Sequence, residues 1–125
     1  LDNIPKTIAV SGGGKNVTWL KAKWLVNKRV GYWGDIDSEG FGILGDVRSK
    51  LGDIVPLMMD SETVEKYQKR MVNESESLAK EPVALLEHEL TLFRKLRSGE
   101  FGNTRLEQER LPMDYVYEKL KMWAG

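Results

Sequence analysis

The feature that most constrains this chain is the stretch 30–41, in which a short apolar strand runs into a loop with two carboxylates. Asp35 and Asp37 stand two residues apart in this loop, glycines flank them, and a helix-like segment follows. Because successive side chains of an extended chain alternate faces, both carboxylates can point the same way at the end of the strand. Open parallel sheets bind ligands in that crevice, and neighbouring carboxylates repel each other unless a cation lies between them. The stretch therefore predicts a site for a divalent metal ion.

The residues available as ligands restrict which metal this is. The chain has no cysteine and a single histidine, so its metal site must use carboxylates and other oxygen ligands. Oxygen ligands favour Mg²⁺, Mn²⁺ or Ca²⁺. Basic and acidic residues number 19 each, so the net charge gives no general argument for nucleic-acid binding.

Length and hydropathy indicate one globular domain. With 125 residues the chain can bury one core and is too short for two ordinary domains. It has no apolar run of about 20 residues and no basic and apolar leader, so we expect no membrane association and a cytoplasmic protein. Because the sequence starts at Leu1 without a methionine, we expect residues 1–125 to be a single domain cut from a longer protein.

Short runs of apolar and β-branched residues predict three strands. They lie at 7–10, 29–33 and 54–59, and Pro56 gives the third strand an edge position or an early bend. Helix-length segments separate the strands, which implies right-handed crossovers. The expected fold is therefore α/β, with a mainly parallel sheet flanked by helices and a C-terminal helical extension.

Helical spacing and capping residues predict five helices. We place them at 17–26, at 41–51 with Gly52 as the stop, from Asp60 or Ser61 onward, from Pro82 to Gly99, and at 113–123. The polar stretch 73–77 is predicted to be a loop. Residues 102–111 are predicted to be a loop or a short edge strand that presents acids.

Three other interpretations of the aspartate loop are open. It is a solvated acidic turn if an aspartate only caps the next helix. An EF-hand calcium loop would have its ligand and glycine positions at Asp35, Asp37, Glu39, Gly40 and Asp46. The glycine-rich residues before it do not suit an entering helix, which argues against this second interpretation. An aspartyl-phosphate phosphatase would use Asp35 as the nucleophile and Asp37 as the acid.

A second glycine loop lies nearer the amino terminus. Residues 12–14 are all glycine, and Lys15 and Asn16 follow. The pattern is not a Walker A motif, because the earlier glycine and the hydroxyl residue after the lysine are missing. Glycines before a helix still let backbone N–H groups approach a phosphate, with Lys15 adding positive charge. A simple strand-to-helix turn explains the same residues equally well.

Several motifs occur in an order that matches one known family. They are Ile8 with the glycines at 12–14, residues 32–37, Gly40 with Phe41, Ile43 with Leu44, Arg48, Met59 and Asp60 with Thr63, and residues 106–110. In this combination nearly the whole chain resembles the C-terminal Toprim-type domain of JetD, a family of Wadjet anti-plasmid defence proteins. The resemblance implies a Toprim-like (Rossmann-like) fold shared with the A subunit of topoisomerase VI.

The resemblance also implies an activity and a set of site residues. The domain would be the catalytic part of a metal-dependent DNA endonuclease, with Asp35 and Asp37 holding Mg²⁺ or Mn²⁺. Glu109, or its neighbour Glu107, would assist catalysis without binding the metal directly. Lys15 and Arg48 would contact the phosphates of DNA.

Partners and a missing ligand follow from the same resemblance. The partners would be double-stranded DNA and an SMC-type, condensin-like complex, and relatives of the topoisomerase type form homodimers. Toprim sites take a further glutamate from a preceding strand, which the resemblance places upstream of Leu1. We therefore expect little or no nuclease activity from the isolated chain. The rival hypothesis is a non-catalytic, Toprim-shaped module that binds proteins or DNA.

Overall fold

The computed structural model describes residues 3–10, 18–77 and 80–125, apart from the side chain of Trp19. Within these ranges the chain forms four α-helices and a two-stranded parallel sheet. The helices are α1 (Ser38–Leu51), α2 (Ser61–Lys66), α3 (Glu87–Arg97) and α4 (Met113–Ala124), and the strands are β1 (Gly31–Tyr32) and β2 (Val55–Pro56). Short 3-10 helices lie at Thr18–Lys21, Lys23–Leu25, Gln68–Arg70 and Gln108–Arg110. The α/β class predicted from the sequence is confirmed.

The sheet consists of the middle residues of two predicted strands. Gly31 pairs with Val55 and Tyr32 pairs with Pro56, in parallel register. The N–H groups of Val55 and Leu57 donate to the carbonyls of Val30 and Tyr32, at 3.0 and 2.7 Å, so residue 56 between them faces away from β1. Proline has no N–H to donate, and here none is needed. The edge position predicted for Pro56 is therefore confirmed, although both strands are shorter than predicted.

Helix α1 ends where the sequence predicted, before Gly52, but it begins at Ser38, three residues before the predicted start at residue 41. The Asp37 side chain accepts a hydrogen bond from the backbone N–H of Gly40, which fixes the amino end of the helix. At the carboxyl end Gly52 has a φ of 79°, a conformation that favours glycine. Phe41 and Leu44 of α1 are fully buried and contribute to the main core.

Two further helices also agree with the sequence. Asp60 caps α2, since its carboxylate accepts from the N–H of Thr63 at 2.8 Å. Helix α4 covers the predicted range 113–123 and one residue more. Tyr115 of α4 and Thr63 of α2 share a buried hydrogen bond of 2.8 Å between their hydroxyl groups, which joins these two helices.

The start predicted for the long helix, at Pro82, is wrong, because α3 begins only at Glu87. Ala84 has a φ of 59°, which is incompatible with a right-handed helix. The first turn then forms because the N–H of Leu86 donates to the Glu89 carboxylate at 2.9 Å. The predicted end at Gly99 is correct within two residues, and this glycine has a φ of 76°.

The amino-terminal part differs most from the sequence prediction. Residues 7–10 form no strand, and Ile8 is 81% exposed. In the predicted helix 17–26 the described residues form two short 3-10 helices, because Ala22 between them is extended, with a ψ of 134°. Leu25 is buried while its neighbour Trp24 is 57% exposed, so the apolar residues do not share one continuous buried face.

Two isolated bridges tie the later part of the chain to the region after β1. Leu106 pairs with Ile36 and Arg105 pairs with Val72, both antiparallel. Leu106 is 1% exposed, so the stretch predicted as a loop or edge strand contributes to the core. Residues 73–77 are in neither helix nor strand, as predicted. Nowhere in the described residues is a helix both long and apolar enough to cross a membrane.

Candidate metal site

Asp35 and Asp37 lie on either side of a buried isoleucine, just beyond the carboxyl end of β1. Ile36 is 2% exposed, and its N–H and carbonyl groups both bond to the backbone of Leu106 at 3.0 Å. This reciprocal pair fixes the backbone from which the two aspartates project. The structure thus places both predicted ligands in one short, well-anchored loop, which we call the acid loop (residues 33–37).

Asp37 is the more deeply buried aspartate and has two hydrogen-bond partners. It is 2% exposed, and its Oδ1 accepts from the N–H of Gly40 at 2.6 Å. Its Oδ2 accepts from Nε of Arg105 at 2.6 Å, which forms an ion pair. Burial raises the pKa of Asp37 above its ordinary value, although both hydrogen bonds act in the opposite direction. Asp37 therefore caps the next helix, as one of the alternative interpretations expected, but it is buried and so does not belong to a solvated turn.

Asp35 is half-buried and holds the end of the same later segment. Its Oδ1 accepts from the backbone N–H of Gln108 at 2.7 Å. The side-chain amide of Gln108 donates to the carbonyl of Trp33 at 2.9 Å. Residues 105–108, which we call the clamp segment, therefore contact the acid loop through side chains and backbone at once.

The clamp segment brings in residues to which the sequence gave no role. Arg105 lies in the stretch predicted as a loop or short edge strand, and it supplies the positive charge beside Asp37. Gln108 is part of the motif on which the family resemblance rests, but its contacts were not foreseen. The signal that could have found Arg105 is weak: a basic residue stands just before the apolar Leu106 and the acids that follow it.

Glu74 is a further carboxylate that sequence reasoning missed. Its Oε1 accepts from the hydroxyl of Ser38 at 2.6 Å and from the N–H of Glu39 at 3.3 Å. Its own N–H donates to the Thr104 hydroxyl at 2.7 Å. Two carboxylates, Glu74 and Asp37, thus lie at the positive end of α1. No spacing rule links residues so far apart in the chain.

Tyr32 of β1 contributes a phenol to the same region. Burial raises its pKa to about 12, and the nearby charges of Asp35, Asp37 and Glu39 act in the same direction. The hydroxyl therefore stays protonated at neutral pH. It can donate a hydrogen bond to an anion but does not provide a ready phenolate.

The other predicted site residues lie elsewhere or outside the described part. Arg48 donates to both carboxylate oxygens of Glu89, at 2.5 and 2.8 Å, and to the carbonyl of Ala84 at 2.8 Å. The structure thus gives Arg48 a structural partner, and its contact with phosphate stays a prediction. Glu109 is exposed on the 3-10 helix Gln108–Arg110, which begins at the last residue of the clamp segment. Lys15 and the glycines at 12–14 lie outside the described residues.

The donor chemistry of the acid loop fits a hard divalent cation in part. Two carboxylates project from the same short loop, and each oxygen of Asp37 has a second lone pair besides its hydrogen bond. In the described ranges, however, no three acidic or histidine side chains come together as a metal-binding group. The EF-hand hypothesis is wrong, because residues 38–51 are helical and cannot form the calcium loop.

These features define an α/β domain that carries paired carboxylates just beyond the end of a parallel strand. The chain belongs to the family described as Wadjet protein JetD, C-terminal, whose model matches residues 1–120. The resemblance to JetD is thus confirmed, and it implies a role in Wadjet anti-plasmid defence within a complex of Wadjet proteins. Among curated proteins, none matches the chain.

Proposed function

We propose that this chain is the catalytic Toprim-like domain of a Mg²⁺-dependent DNA endonuclease that acts with an SMC-type complex against plasmids. The observation that carries the proposal is the acid loop, where Asp35 and Asp37 project from a backbone that Leu106 holds in place. Family membership supports the defence role, and the acid pair supports the chemistry. The substrate would be double-stranded DNA.

In this proposal Asp35 and Asp37 bind Mg²⁺, or Mn²⁺ in its place. The ion would stabilise the charge that develops on a phosphodiester and would activate a water. The protonated Tyr32 hydroxyl is available to donate to a phosphate oxygen. Glu109, exposed next to Gln108, would assist catalysis without binding the metal, while Lys15 and Arg48 would contact phosphate.

Asp35→Asn in the full-length protein is the sharpest test. The substitution removes one negative charge, keeps the shape of the side chain, and leaves an oxygen to accept the Gln108 N–H. We expect plasmid cleavage with Mg²⁺ and the Wadjet partners to fall by at least about 100-fold, because a metal ligand is lost. Asp46→Asn is the matched control, since Asp46 is an exposed aspartate of α1. Full cleavage by the Asp35 variant would refute the proposal.

A second candidate function is a non-catalytic module that binds protein or DNA. One observation favours it: Arg105 already neutralises Asp37, so the acid loop needs no metal to balance its buried carboxylate. Titration calorimetry of the full-length protein with Mg²⁺ and Mn²⁺ separates the two candidates. A catalytic domain binds the ions with an affinity that Asp35→Asn weakens, whereas the module binds neither.

A further inference from the structure

We propose that Arg105 is a positioning residue that occupies the cation position at Asp37 and must release this carboxylate before a divalent ion can bind. The inference rests on the proposed function, because it concerns how the same acid pair takes up its metal. It assigns a regulatory role to a residue that lies outside the pair itself. The proposal stands on the geometry of the Arg105 contact and on the way the clamp segment is held.

The clamp segment delivers the guanidinium to one place. Arg105 exchanges backbone hydrogen bonds of 2.8 Å with Val72 on one side, and Leu106 is bonded to Ile36 on the other. The Cα of Arg105 is therefore held between two parts of the chain. The guanidinium can move only by rotation of the Arg105 side chain. That guanidinium lies 2.6 Å from Oδ2 of Asp37.

The ion pair between Arg105 and Asp37 neutralises the carboxylate, but it rests on a single hydrogen bond that can be broken. Arg105 reaches Oδ2 through Nε, whereas Arg48 grips both oxygens of Glu89 through its two terminal nitrogens. The Arg105 side chain is 25% exposed, against 12% for Arg48. A single-point contact at the edge of solvent can be exchanged, while a two-point contact in the interior holds its geometry.

Charge balance makes the guanidinium and a divalent ion competitors. Glu74 contributes one negative charge near Asp37 and Arg105. Asp35 and Asp37 together carry two further negative charges, of which Arg105 cancels one. A divalent ion beside the pair would cancel both and would then meet the guanidinium as a like charge at short range. Release of Asp37 lets Arg105 turn outward, where an anionic phosphate is a suitable new partner. Binding of the divalent ion and release of Arg105 are thus a single step, in which one cation replaces another at Asp37.

The test compares Mn²⁺ binding to the full-length protein and three variants at constant ionic strength, by titration calorimetry. Arg105→Gln removes the competing charge and should bind Mn²⁺ about tenfold more tightly than the wild type. Arg105→Lys keeps the charge and should bind like the wild type. Arg110→Gln is the matched control, because this exposed arginine follows five residues later and should leave the affinity unchanged.

The outcomes separate this inference from the proposed function. Equal or weaker Mn²⁺ binding by Arg105→Gln overturns the role of Arg105 while leaving the metal site intact. If neither the wild type nor Arg105→Gln binds Mn²⁺, the metal site itself is absent and both proposals fail. Should Arg105→Gln not fold, the Nε–H resonance of Arg105 in the wild type decides: it must shift towards solvent-exposed values on Mg²⁺ addition, and an unchanged resonance overturns the inference.

Discussion

At the scale of single residues, the acid loop depends on a glycine as well as on its aspartates. The N–H of Gly40 donates to Asp37 at 2.6 Å, and a Cβ at this position would overlap the carbonyl oxygen of Asp35. Helix α1 can therefore start close against the acid loop only because residue 40 has no side chain. The same close approach places Asp37 at the positive end of the helix.

Gly40→Ala should destabilise the protein for this reason. The added methyl group must push the acid loop away from α1, which costs about 1–3 kcal/mol of unfolding free energy. Urea denaturation of the variant and the wild type measures this difference. Asp46→Ala, an exposed change in the same helix, should remain close to the wild type. A Gly40→Ala protein with unchanged stability would show that the loop yields without cost.

At the scale of helices, a buried ion pair joins α1 to α3. The Glu89 side chain is 1% exposed and receives two hydrogen bonds from Arg48. Phe41 of α1 and Phe93 of α3 meet edge to face nearby, with ring centroids 6.4 Å apart. Although burial acts to raise it, the pKa of Glu89 is lowered overall by its hydrogen bonds from Arg48 and the N–H of Leu86.

Glu89→Gln should reduce stability at neutral pH by about 3 kcal/mol, because the largely buried Arg48 loses its counter-charge. Since the folded pKa of Glu89 lies below its ordinary value of 4.5, the ionised carboxylate stabilises the fold above that pH. The contribution is lost as the pH falls through the folded pKa. Urea denaturation from pH 7 to pH 3 should therefore show the gap between variant and wild type narrowing at the acid end.

The matched control is an exposed ion pair between Arg94 of the same helix, α3, and Glu81, which precedes the helix. Glu81→Gln breaks the pair between Glu81 and Arg94, whose side chains are 43% and 60% exposed. Water and salt screen such a pair, so its loss should change stability little at any pH. Equal effects of the two glutamate substitutions would contradict a special role for the buried pair.

At the scale of the whole molecule, residues distant in sequence meet around the acid loop. The clamp segment bridges Ile36 on one side and Val72 on the other, and Glu74 then reaches the start of α1. Leu106 lies at the centre of this arrangement and is 1% exposed. The acid loop therefore depends on chain that follows it by about 70 residues.

Leu106→Ala tests how far the fold relies on this junction. Removing a fully buried leucine leaves a cavity and should cost about 2–5 kcal/mol of unfolding free energy. Leu86→Ala, at a leucine that is 50% exposed, should cost much less. The two midpoints of urea denaturation give the comparison. Similar midpoints would mean that the clamp segment is dispensable for the fold.

Local chemistry made several elements predictable from the sequence. Asp37 and Gly52 bound α1, and Asp60 starts α2, because capping depends on residues within a few positions of each other. The helix predicted from Pro82 was wrong for a reason that no local rule contains. Ala84 takes a positive φ, and the Ala84 carbonyl is bonded by Arg48 from another helix.

The sequence by itself determined the α/β class, the two aspartates after β1 and the family to which the chain belongs. Only the tertiary structure decided what surrounds those aspartates. Arg105 is 68 residues from Asp37, and Glu74 is 36 residues from Ser38. Side-chain charges pair across such separations only after the backbone has folded, because hydrophobic burial of residues such as Leu106 brings them together. A sequence pattern can thus locate the carboxylates, but only the folded chain determines which positive group lies beside them.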